Sequence, residues 1–139
     1  MSEGYGIDTH CGTSLRTGRL VTGIVALGLA CLRRQITPRG ILRFRREPVN
    51  YGIDLAEYVG RLGPELAANA LPGIIRAELS KDDRVADVEV RITREELSPG
   101  QWRLKIEELI SGHGESEQYG LTLGVSTDGV EVIASAVAA

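Results

Sequence analysis

The order of apolar and polar positions divides the chain into two parts with different periods. In "TGRLVTGIVALGLACLRR", Leu20, Ile24, Leu27 and Cys31 recur at helical intervals on one face. Val21, Val25, Gly28 and Leu32 form a second apolar row beside it. A helix apolar over so wide an arc is buried on more than one side. Two readings follow: a central core helix, or one shared with a neighbouring subunit. Gly23 and Gly28 weaken it by ~1 kcal/mol each relative to Ala, but permit close approach of another backbone. Arg33 and Arg34 end it, well placed for the negative end of its dipole. Thr37-Pro38-Arg39-Gly40 predicts a turn, and Ile41 to Arg46 a short strand stopped by Pro48. Asp54-Leu55-Ala56-Glu57 reads as a capping box opening a helix that ends near Arg61. Gly63-Pro64 then starts a second one, running to near Lys81 with a kink or split at Pro72-Gly73.

From Arg84 the period becomes two. Val88, Val90 and Ile92 alternate with polar residues, as do Trp102, Leu104 and Ile106. The same holds for Tyr119, Leu121, Leu123 and Val125, and for Val130 and Val132 after a Thr127-Asp128-Gly129 turn. "EELSPGQ" and "SGHGESEQ" read as loops between them. The expected fold is α+β: an N-terminal apolar helix, a helical middle section and a C-terminal antiparallel β-meander packed against the helices. Residues 1–16 read as an N-terminal arm or short strand, and residues 17–139 as a single domain.

Composition narrows the function. A chain of 139 residues, 42% hydrophobic and 25% charged, suits one globular domain. The longest apolar stretch, Leu20 to Leu32, is well short of the ~20 residues that cross a bilayer. "MSEGYGIDTHCG" has no charged-then-apolar signal pattern, so a cytoplasmic start without membrane contact is expected. Cys11 and Cys31 make neither a disulfide framework nor a zinc site. Cys31 reads as a small buried residue, and Cys11 as a candidate for an intermolecular disulfide.

Catalytic patterns are missing from the sequence. It has no phosphate-binding Gly-Lys-Ser/Thr loop and no Gly-x-Ser-x-Gly elbow. His10 and His113 lie in Gly-flanked segments, whereas a general base needs a held geometry. Asp82-Asp83, Glu95-Glu96 and Glu107-Glu108 read as surface pairs rather than an acid pair across a sugar cleft. The expectation is a non-enzyme with no cofactor or metal.

The remaining feature is the arginine-rich turn from Arg33 to Arg46. On a strand, Arg43 and Arg45 would share one face, with Arg39 across the turn. Three readings stand: internal ion pairs to Glu47, Asp54 and Glu57; a protein-docking surface; or a nucleic-acid patch. A net charge of −3 and only 4% aromatic residues weigh against nucleic acid.

The order of parts resembles one family. An apolar helix with a basic end, then "TPRG", an extended segment, "YGIDL", a helix and a charged turn before a meander is similar to the baseplate wedge, or sheath-initiator, proteins. These belong to contractile phage tails and related injection systems and are often labelled gene-25-like lysozyme. The resemblance spans Thr17 to Ile133. The family commonly has Glu-Pro-Arg before the first strand of the sheet; here Asp82, Asp83 and Arg84 stand there. "ILRFRREPVNYG" is also a few residues longer than the usual version.

The resemblance implies a structural protein of the virion, assembled in the host cytoplasm into the tail baseplate. Its partners would be other wedge proteins and the tail sheath protein, with tail tube or hub proteins as further contacts. Asp82, Asp83, Arg84, Arg39, Arg43 and Arg45, together with Leu20, Ile24 and Leu27, would dock the wedge. Sheath polymerisation would start by strand addition along Tyr119, Leu121, Leu123 and Val125, or along Val130 and Val132. The lysozyme label is not carried over. A tail terminator or connector protein, a small nucleic-acid-binding module and a peptidoglycan hydrolase are the alternatives.

Overall fold

Alternating valine, isoleucine and leucine residues in the second half of the chain pair in sequence order into one antiparallel sheet, β3-β4-β5-β6. In the computed structural model its strands are β3 (Val85–Ser98), β4 (Gln101–Gly112), β5 (Gln118–Ser126) and β6 (Gly129–Ala138). Before them come β1 (Ile7–Cys11), β2 (Leu15–Thr22), α1 (Gly23–Ile36) and α2 (Leu55–Leu79). The structure describes residues 7–11, 15–40, 51–114 and 116–138, with side chains from residue 23 onward. The strand expected at Ile41 to Arg46 lies outside the described residues, as do Arg43 and Arg45.

The mixed fold of two helices and a four-stranded antiparallel sheet agrees with the α+β reading. Element bounds differ from the sequence pattern in several places. Leu20 and Val21 belong to β2, which pairs antiparallel with β1 (Thr9 opposite Leu20), and the helix begins only at Gly23. Gly23, at φ 67°, turns the chain from strand to helix, a conformation open to glycine. α2 does break at Gly63 (φ 76°, ψ 169°), and Pro64 restarts it as a residue suited to a first helical turn. Pro72 sits inside the helix without a second non-helical residue there. Asp54 occupies the N-cap position of α2 in the left-handed region, and its side chain makes no capping bond. The expected capping box is therefore not formed.

The β3-β4 hairpin is longer than the alternation suggested. "EELSPGQ" is not a loop: Ser98 pairs with Gln101 across a two-residue Pro99-Gly100 turn. β6 likewise continues past Val132 to Ala138, but with a register shift. Leu123 faces Val132 and Thr122 faces Ala134, so Ile133 is the extra residue of a bulge. On the face away from the helices, Arg103 of β4 bonds Glu95 of β3 and reaches Glu131 of β6. Gly124 of β5 has no side chain to obstruct that span, and the Arg103 Cδ and Ile133 Cδ1 atoms close over it.

One core joins the two layers. From the helices it takes Leu27, Leu32, Leu55, Leu71, Ile75 and Leu79; from the sheet Leu104, Ile106, Ile110, Leu121 and Leu123, all fully buried. Gly28 is the point of closest approach. A Cβ there would lie 2.2 Å from Cδ1 of Tyr119, so it is an aromatic ring of β5, not another backbone, that uses the space. Truncating any one of these leucines to alanine costs ~2–5 kcal/mol.

Candidate docking surface

The two sequence signatures "TPRG" and "YGIDL" meet in space. Thr37 ends α1 by donating both its backbone N–H and its Oγ1 hydroxyl to the Arg33 carbonyl, at 3.1 and 2.6 Å. The returning chain lies against this cap. Gly52, at φ 94°, passes so close that a Cβ would fall 2.1 Å from the Thr37 carbonyl oxygen. The next residue, Ile53, donates its N–H to the Arg34 carbonyl at 3.1 Å. Tyr51 places its ring 4.6 Å from the Arg34 guanidinium carbon, a cation–π contact.

Glu78, at the end of α2, gathers the cations of this corner. It accepts from Arg34 and Arg39 at 2.9 Å each and from Lys81 at 3.1 Å, while its own side chain is only 1% exposed. A buried carboxylate is tolerated when charge partners and hydrogen bonds surround it. Of the internal partners suggested by sequence, Glu47 lies outside the described residues, and among the described residues Asp54 and Glu57 are not the acceptors for Arg34 and Arg39. A residue 44 positions from Arg34 is. Such a distant partner leaves no local signal. What could have marked Glu78 is its place in the apolar row Leu71, Ile75, Leu79 of α2.

Asp82 and Arg84 close on one another. Asp82 Oδ1 accepts from the Arg84 backbone N–H and from its Nε, and Oδ2 accepts from Nη2 at 2.6 Å. Burial pushes the Asp82 carboxyl up, but the Arg84 hydrogen bonds and charge outweigh it and hold it below the ordinary 3.8. The Arg84 guanidinium is correspondingly raised, first by its bond to Asp82. Asp83 between them is exposed. The charges of Asp82, Arg84 and Arg34 all act on Cys31, so the ends of α1 and α2 share one corner.

Ile24 and Leu27 do not belong to an outer surface. They are 4% and 0% exposed in the chain's own core, so they have no area left for a partner helix. Leu20 is a β2 residue. Of the expected docking set, Arg39, Asp82, Asp83 and Arg84 are thus brought to one corner.

The expected strand-addition residues also separate. β5 is hydrogen-bonded to β4 on one side and β6 on the other. Tyr119, Leu121, Leu123 and Val125 therefore have no free rim, and the expectation for them is corrected. Val130 and Val132 lie on β6, an edge strand with no pairing partner beyond it among the described residues. Its residues 129–138 include a single charge, Glu131, and expose Ile133 and Val137 by 39% and 42%. The other edge, β3, carries the charges of Asp87, Glu89, Arg91, Arg94, Glu95 and Glu96, of the kind that deter strand pairing. Beside β6 runs an open groove of about 460 Å³, bordered by Leu32, Ile36, Ala56, Val130 and Val132, with Asp54 at its polar margin.

Two buried polar residues were also missed. Glu108 is not half of a surface pair; it points inward in the series Leu104, Ile106, Glu108, Ile110 and is 3% exposed. It pairs with Gln35 of α1, which is 0% exposed. Burial pushes the Glu108 carboxyl up to about 8. Among the described residues, no three metal-ligating side chains converge and no helix is long and apolar enough to cross a membrane. Comparison with protein-family models, with curated proteins and with solved structures returns no match to the chain.

Proposed function

We propose that the chain is a structural, non-enzymatic component of a contractile tail baseplate that templates sheath polymerisation by strand addition along β6. The observation that carries this reading is the edge itself: a nearly uncharged strand, unpaired on one side among the described residues, next to an apolar groove. Isolated soluble proteins blunt such edges with charge, as β3 does. An incoming strand gains main-chain hydrogen bonds along β6, and its alternate side chains enter the groove between α1 and the sheet. The corner built from Glu78, Arg34, Arg39, Asp82, Asp83 and Arg84 serves as the wedge-docking surface. Its "TPRG" and "YGIDL" contacts are the same residues on which the family resemblance rests. Arg34, Arg39 and Arg84 are already engaged by carboxylates, which favours a rigid protein-docking corner over a phosphate-binding patch.

The test is co-expression with the neighbouring wedge and sheath proteins of the same gene cluster. Wild type should co-purify with both and seed sheath assembly. The double variant Ile133→Lys, Val137→Lys, at two exposed positions, should fold, keep the wedge contact and lose the sheath. Undiminished sheath recruitment by that variant would remove β6 as the template.

A further inference from the structure

We propose that Glu108 is carried as a neutral carboxylic acid in a cyclic acid–amide pair with Gln35, and that this pair is a proton-dependent latch between α1 and β4. Donors and acceptors in this buried pair do not balance while Glu108 is ionised. Gln35 Nε2 donates to Glu108 Oε1 at 2.7 Å and lies 3.4 Å from the Cys31 carbonyl, which fixes the orientation of the amide. Both amide protons are then assigned. Gln35 Oε1 and Glu108 Oε2 remain buried with no hydrogen-bond donor among the described residues. Both orphans are acceptors, and both belong to the same bonded pair. One proton on Glu108 Oε2, donated to Gln35 Oε1, satisfies the two at once and closes a ring of two parallel hydrogen bonds.

The surroundings favour that proton. Glu108 sits opposite Val90 of β3 and Leu121 of β5, neither of which has a charge to offer. On α1, Cys31 is within electrostatic reach of Glu108, its thiol pushed up to about 12 by burial, then by Asp82 and Glu108. Arg34 and Arg84 also act on Cys31, yet each is tied to a carboxylate, Glu78 and Asp82 respectively. On α2, Glu78 is held by Arg34, Arg39 and Lys81. The influences on Glu108 itself are burial, which raises it to about 8, and the Gln35 bond, which opposes the rise.

The consequence is a pH dependence of one sign. Unfolded, the carboxyl titrates near its ordinary 4.5; folded, near 8. Between these values the folded chain holds a proton that the unfolded chain has lost, so stability falls as pH rises and levels off above the folded value. A single linked proton raises the unfolding constant by at most ~10-fold per pH unit. Ionisation puts a carboxylate against the Gln35 carbonyl and loosens the end of α1, the same end that anchors Arg34 and the "TPRG" turn. The latch does not depend on which partner the corner receives.

The test uses the full chain and the Glu108→Gln variant, in which an amide N–H replaces the acid O–H in the same ring. Thermal unfolding midpoints are followed from about pH 5 to about pH 9. Wild type should lose midpoint steadily up to about pH 8, while Glu108→Gln shows a shallower decline and overtakes wild type on the alkaline side. Parallel curves would overturn the latch. Infrared difference spectra of wild type give a second reading that needs no variant. A protonated-carboxyl band that persists at about pH 6, where exposed carboxylates are ionised, is expected, and its absence would equally overturn the proposal.

Discussion

Replacing Gly52 by alanine tests the contact between the two signature segments, and its cost can be worked from geometry. Two effects add. At φ 94° any side chain meets the left-handed penalty, ~1–2 kcal/mol. The new Cβ would also lie 2.1 Å from the Thr37 oxygen and 3.0 Å from its carbonyl carbon, against the ~3.5 Å of an ordinary contact. That oxygen is backbone, fixed by the Thr37 cap on Arg33 and by the Ile53 bond to Arg34, so the segment must move by more than an ångström. Overpacking of this kind costs ~1–3 kcal/mol. The expected sum is ~2–5 kcal/mol, a large part of the ~5–15 kcal/mol that holds a domain together. Gly100→Ala is the control. Gly100 has a similar φ of 80° in the Pro99-Gly100 turn but nothing within 4 Å of the added Cβ, so only the backbone term applies. Urea unfolding followed by far-ultraviolet circular dichroism should give a lower midpoint for Gly52→Ala than for Gly100→Ala, at equal slope. Equal midpoints would show that the Gly52 contact contributes nothing.

Other perturbations separate the charged groups. Glu78→Gln should destabilise by ~3–5 kcal/mol in urea unfolding, because it removes the buried negative charge, and one of its two acceptor oxygens, from three cations. Arg39→Ala, at a side chain 44% exposed, should cost ~1 kcal/mol or less. Asp82, held below its ordinary value of 3.8, contributes stability above that pH and loses it as pH falls through the folded value. Thermal midpoints of Asp82→Asn should therefore fall less steeply than those of wild type on acidification from about pH 6 to about pH 2.

The sheet was legible because alternation is a local property. Val88, Val90 and Ile92, or Leu121, Leu123 and Val125, reveal strand and buried face without reference to any partner. The order of strands, and which of them is the edge among the described residues, were not readable in that way, since every strand of a meander alternates alike. Only pairing shows that Tyr119 to Val125 is interior and Val130 to Ala138 is the edge. The same limit explains the charged corner. Arg34 and Arg39 find Glu78 across 44 and 39 positions, distances at which no pattern of neighbours operates. Glu108 is different in kind. Its inward parity was present in the strand, but its adjacency to Glu107 suggested a solvated pair. The rule that alternate residues take opposite faces separates the two. At the helix start, Leu20 and Val21 continue the apolar rows of α1 but suit a strand equally, so periodicity alone could not locate the boundary.

The extra residue at Ile133 gives the β6 rim a built-in index mark. Because the pleat shifts by one position there, Val130 and Val132 face the groove side before it, whereas Ser135 and Val137 take that side after it. A guest strand displaced by a single residue would turn its apolar side chains to water and its polar ones toward Leu32 and Ile36. The chain's own irregularity would thus choose the alignment of the strand proposed to join it.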